Sequence, residues 1–192
     1  KVVVTAPTAG TALPTISVAF GTAADAVNFS NVTTTANVAP GTNAQYDVSG
    51  WTGLTAFNGT SVGGENLNAA LTTNVSATDS NLGSGNIDIT GGNNVTVSAS
   101  NMTTGNIYVG GEVVAERPVG AVSITATLAE NGGVGGLVYV DGGTTVSVAQ
   151  SLASNLTSTN TVNQADVLVE GTALTTAVTV NQANTASAQA VK

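Results

Sequence analysis

The chain has 192 residues, only 7% of them charged against the ~25% usual in soluble domains; three cations, Lys1, Arg117 and Lys192, face eleven carboxylates for a net charge of −8. So little positive charge excludes nucleic acid as a partner, because phosphate binding needs clustered Lys and Arg, and it disfavours an anionic membrane surface. Histidine and cysteine are both absent, which removes His-based acid–base catalysis, His-activated nucleophiles, disulfides and thiolate metal sites.

Hydrophobic residues make up 42% of the chain but aromatics only 4%, so the apolar content is mostly Ala and Val, suited to a thin core between closely stacked sheets. Thr, Val, Gly, Asn and Ser favour strands and Gly/Asn turns over helices, and the expected fold is all-β. No run approaches the ~18 apolar residues of a membrane span.

In chain order, Lys1-Val2-Val3-Val4-Thr5 reads as a strand that could be donated to a neighbouring molecule. Thr15-Ile16-Ser17-Val18-Ala19-Phe20 and Ala26-Val27-Asn28-Phe29 alternate with period two, punctuated by Pro7, Pro14 and Pro40. Trp51, Leu54, Phe57 and Leu67 form the one cluster of larger apolar residues, read as a plug for the thin core.

An internal repeat then dominates. Ile87-Asp88-Ile89-Thr90-Gly91-Gly92-Asn93-Asn94-Val95-Thr96-Val97 matches Val138-Tyr139-Val140-Asp141-Gly142-Gly143-Thr144-Thr145-Val146-Ser147-Val148, with Ile89 and Val140 lying 51 positions apart. A third copy runs from Val167-Leu168-Val169-Glu170-Gly171-Thr172 to Val178-Thr179-Val180, and a partial one begins at Ile107-Tyr108-Val109-Gly110-Gly111. Each copy is a short strand, a Gly turn and a second short strand, which cannot bury its apolar face alone. Stacked copies can, so the expected architecture is a parallel β-solenoid or β-helix-like stack of short strands, with a β-sandwich as the alternative. One module spanning 1–192 is expected, with a soft boundary near 115–118 and continuation into a longer polypeptide.

Among the eleven carboxylates no pair is singled out for glycosidase-type chemistry, and the expectation is that the chain is not an enzyme. The Gly pairs lack the Lys-Ser/Thr of a phosphate loop and read as turns. Excess carboxylate makes calcium the candidate cofactor. Asn131-Gly132-Gly133-Val134-Gly135-Gly136-Leu137 approaches a calcium-binding β-roll nonapeptide, but Leu137 stands where the ligating Asp belongs. The candidate ligands are therefore Asp141 and Glu170, which occupy equivalent places before the Gly turn in their copies.

Gly92-Asn93-Asn94-Val95-Thr96-Val97-Ser98, Asp141-Gly142-Gly143-Thr144-Thr145-Val146-Ser147-Val148 and Thr175-Thr176-Ala177-Val178-Thr179-Val180 resemble the β-strand repeats of bacterial surface-layer proteins and related type I-secreted, haemolysin-type or adhesin-like surface proteins. The resemblance implies an extracellular, cell-surface location, assembly with copies of itself into a lattice or fibre, and calcium-dependent order. Two alternatives stay open: an adhesin segment binding cell-surface glycan through Trp51, Tyr46 and Phe57, and a pilus- or matrix-fibre subunit using strand donation.

Overall fold

The structure is a computed structural model that describes residues 28–37, 44–130, 135–153 and 162–183. The described strands are β1 (Asn28–Asn37), β2 (Ala44–Asp47), β3 (Thr52–Ser61), β4 (Glu65–Ala69), β5 (Asn74–Asp79), β6 (Asn86–Gly91), β7 (Val95–Met102), β8 (Asn106–Val109), β9 (Ala121–Leu128), β10 (Leu137–Asp141), β11 (Thr145–Leu152), β12 (Asp166–Glu170) and β13 (Ala177–Ala183). Odd-numbered strands form a seven-stranded sheet and even-numbered strands a six-stranded one, each in chain order. Every ladder is parallel and joins a strand to the next but one.

That pairing decides between the two architectures expected from sequence. A sandwich of hairpins would pair consecutive strands antiparallel. Here the strand that follows a turn crosses to the opposite sheet, and it supplies the crossover that a parallel ladder requires. The fold is a two-sheet parallel β-solenoid, two strands per turn.

The repeat takes on a definite meaning in this frame. Ile89 pairs with Val109 and Val109 with Val140, so the 51-residue offset between matching copies spans two turns of the coil. The partial copy at Ile107 is the turn between them. Its second strand, β9, comes only after a long connection that holds a 3₁₀ turn, Val114–Glu116. The stretch 115–118 falls in this connection, and the ladders continue past it on both sheets, β7 to β9 and β8 to β10.

Alternation along each strand fills the interior with stacked columns. On the seven-stranded side Phe57, Val75, Val95, Val122, Val146 and Val178 are successive register partners. On the six-stranded side Leu67, Ile89, Val109, Val140 and Val169 form another. Most of these side chains are buried to a few per cent exposure, and each full burial contributes roughly 1.5–3 kcal/mol. Of the larger-residue cluster, Leu54, Phe57 and Leu67 are in this core, whereas Trp51 lies in a turn at 39% exposure.

Two of the Gly pairs of the repeat form corners. Gly91 and Gly92 (φ 76° and 90°) and Gly142 and Gly143 (φ 108° and 83°) lie in the left-handed region that side chains disfavour. Asparagines link one turn to the next. Asn93 and Asn94 donate their side-chain amides to Asn74 Oδ1 at 3.2 and 2.9 Å, and Asn106 does so to Asn86 at 3.1 Å. The alternating segment Thr15–Phe20, the strand Lys1–Thr5 and residues 131–134 of the nonapeptide-like run lie outside the described residues.

Candidate functional site

The two carboxylates expected from sequence are neighbours. Asp141 closes β10, Glu170 closes β12, and the two are register partners. Their environments differ. Asp141 is buried and its Oδ2 accepts a hydrogen bond from Arg117 Nε at 2.9 Å, while Glu170 is exposed. Arg117 comes from the long β8–β9 connection, where its guanidinium also donates to the carbonyls of Gly111 and Glu112, each at 3.2 Å. The positive charge beside Asp141 is therefore a guanidinium. Desolvation first, then a hydrogen bond to Glu170, raises the Tyr139 phenol above its usual range. Calcium takes six to eight oxygens. Among the described residues no three Asp or Glu side chains gather around one point.

A second carboxylate pair was missed in the sequence. Glu65 opens β4 and Asp79 closes β5, and both are fully buried. Ser61, at the end of β3, joins them through its hydroxyl, which lies 3.0 Å from Asp79 Oδ2 and 3.3 Å from Glu65 Oε2. Backbone N–H groups of Gly64 and Asn81 donate to Asp79 at 2.7 and 2.8 Å, and that of Gly63 donates at 3.4 Å. Glu65 has no such donors, and its Oε1 makes no hydrogen bond. Burial above all, with the nearby Asp79 charge adding and the Ser61 contact opposing, pushes the Glu65 carboxyl up to about 7. Tyr46 faces the same region, and burial followed by the Glu65 charge pushes its phenol up to about 12.

The single hydroxyl proton of Ser61 serves one carboxylate at a time; with Glu65 protonated, as it is below about pH 7, its O–H can donate a hydrogen bond to Ser61 Oγ while the Ser61 hydroxyl donates to Asp79 Oδ2. The signal in the sequence was the alternation Glu65-Asn66-Leu67-Asn68-Ala69. It places Glu65 on the same inward face as Leu67, in the column that runs through Ile87, Ile107 and Val138.

The aromatic residues weighed as a glycan platform do not share an exposed face. Phe57 is 2% exposed and packs inside against Tyr46, ring centroids 5.1 Å apart, while Trp51 lies in the turn beyond.

On the last described rung the core columns are only half covered. Val178 and Val180 are 50% and 45% exposed, although their register partners Val146 and Val148 are 2% and 1% exposed. Next to them Gln182 continues a column begun by Gln150, side chain to side chain at 3.4 Å, and both amides also donate to the Ala165 carbonyl. Among the described residues no helix is long and apolar enough to cross a membrane. Neither the models of known protein families nor the curated proteins include a match to this chain.

Proposed function

We propose that this chain is a structural component of an extracellular bacterial surface layer or surface fibre, which assembles with copies of itself by adding β-rungs alongside the half-exposed strand β13. The observation that carries this reading is the pair Val178 and Val180. They stand in core columns, yet about half of each is exposed. What completes such columns is another parallel rung with apolar residues at alternate positions, and rungs of that kind are what this chain makes.

The edge is undefended. Strand β13, Ala-Val-Thr-Val-Asn-Gln-Ala, contains no Lys, Arg, Asp, Glu or Pro, the residues that block strand addition elsewhere. The Gln150–Gln182 ladder offers a next amide the same contact. A head-to-tail contact of this type is heterologous, so it propagates into a fibre unless the rotation closes a ring.

Calcium is left out of this reading of the assembly, which rests on β13 alone. Asp141 would have to exchange its contact with Arg117 to join Glu170 in holding the ion.

Sedimentation and negative-stain imaging of wild type and of the double variant Val178→Lys/Val180→Lys test the proposal. Concentration-dependent fibres or sheets from wild type, and monomers from the folded variant, are the expected outcome. Equal assembly of both would exclude β13 as the contact.

A further inference from the structure

The two outer faces of the solenoid differ in charge. The strands of the seven-stranded sheet contain a single ionisable side chain, Asp79, and it points inward. The six-stranded sheet carries Asp47, Asp88, Asp166, Glu170 and the stacked tyrosines Tyr108 and Tyr139 outside the core. Among the described strands, the outward side of the seven-stranded sheet thus carries no charge in a protein of net charge −8.

That face is a regular field of small hydroxylated side chains. Thr96, Ser123 and Ser147 are register partners in one exposed column, and Ser98, Thr125 and Ala149 in the next. Long side chains, which would hold a facing surface away, are missing from these columns.

We infer that the outer face of the seven-stranded sheet is the lateral interface between copies of this chain, two such faces packing against each other. The inference rests on the self-assembly reading above and deepens it, adding a sideways contact to the end-to-end one. Charge selects the face: pairing two six-stranded faces would oppose carboxylate to carboxylate, whereas two seven-stranded faces bring no like charges together. Shape supports it, because small side chains on two regular sheets interdigitate closely, as in dry sheet-on-sheet contacts. Glycan recognition fits this face less well, since Phe57, the one aromatic of strands β3, β5, β7, β9, β11 and β13, points inward.

Area sets how the contact would be used. Six strands, β3 to β13, at the usual strand separation and five to six residues of strand length span roughly 500 Å² per copy, so a pair buries on the order of 1,000 Å². That is the lower end for a specific interface. A single pair is therefore weak, and copies already joined end to end pair firmly because many contacts form together.

Three proteins distinguish the two contacts: wild type, Thr96→Lys/Thr125→Lys on the face, and Val178→Lys/Val180→Lys at the end. Wild type is expected to form paired or sheet-like assemblies, and the face variant single fibres one molecule wide with an unchanged melting temperature. The end variant is expected to form only short lateral dimers at high concentration. If the face pair fails to fold, Ser123→Arg replaces it. Face-variant assemblies as wide as those of wild type overturn the lateral interface while leaving end-to-end addition intact. If wild type forms no fibres, equilibrium sedimentation at high concentration decides: a dimer lost in the face variant upholds the interface, and monomers in both overturn it. Binding of wild type to insoluble polysaccharide that the face variant loses, with no lateral pairing, assigns the face to glycan and overturns it as well.

Discussion

The carboxyl of Glu65 occupies the space beside Gly59 where any other residue would carry its Cβ. Gly59 sits in a core column otherwise filled by Ala77, Val97, Ile124 and Val148, so the missing side chain is replaced by the acid from the neighbouring sheet. Gly59→Ala is expected to lower stability by about 1–3 kcal/mol, the usual cost of overfilling a packed site. The loss should shrink in a Glu65→Ala background. Urea unfolding of the four proteins of this cycle measures the coupling, and an equal cost in both backgrounds would show that the two groups do not compete for space.

Glu65 also makes stability depend on pH. Its carboxyl is held up to about 7 in the folded protein, against an ordinary value of 4.5. The folded state therefore binds the proton more tightly, so the contribution is complete below about pH 4.5 and is lost as pH rises through 7. The difference amounts to about 3 kcal/mol, on the scale of 1.36 kcal/mol per pH unit. Glu65→Gln, which stays neutral, should flatten this part of the profile and melt higher than wild type at pH 8. Parallel melting curves for both proteins from pH 5 to 8 would contradict the assignment.

Arg117 and Asp141 tie the long β8–β9 connection to the end of β10. Arg117→Met leaves the buried carboxylate without its partner, and a loss of about 1–3 kcal/mol is expected, reduced from that of a fully buried pair because Arg117 is partly exposed. Adding Asp141→Asn should restore much of that loss. If the single variant melts like wild type, the ion pair is not what holds the connection.

Calcium gives an independent check on the same corner. With Arg117 on Asp141, titration calorimetry of wild type is expected to show no tight saturable calcium binding, and Arg117→Met should bind the ion better than wild type does. Tight binding by wild type that Glu170→Gln abolishes would instead place the ion at Asp141 and Glu170 despite the guanidinium.

The parts of the fold that were legible in the sequence are those set by local chemistry. Val138-Tyr139-Val140 and Thr145-Val146-Ser147-Val148 alternate around a Gly pair, and the period of two fixes which side chains point inward. The same pattern does not say which strand lies beside which. Ile89 and Val109 are 20 positions apart and Val109 and Val140 are 31, because connections of different length intervene, so the coil shows no fixed period. Only the ladders separate a solenoid from a sandwich.

At the sites the same division holds. Asp141 and Glu170 were recognised as equivalent because they share a place before a Gly turn, and they prove to be register partners. Arg117, the partner of Asp141, is not legible there, since it comes from an insertion outside the repeat. Glu65 and Asp79 were unremarkable among eleven carboxylates; only the meeting of β3, β4 and β5 at one corner brings them to a common serine.

The central claim is that copies join by continuing the parallel β-stack, and X-ray fibre diffraction from oriented assemblies of the wild-type protein tests it most directly. Rungs that continue across the junction place the strand spacing of ~4.7–4.9 Å along the fibre axis. A reflection at that spacing perpendicular to the axis, or assemblies with no such order along it, would mean that copies meet through some other surface.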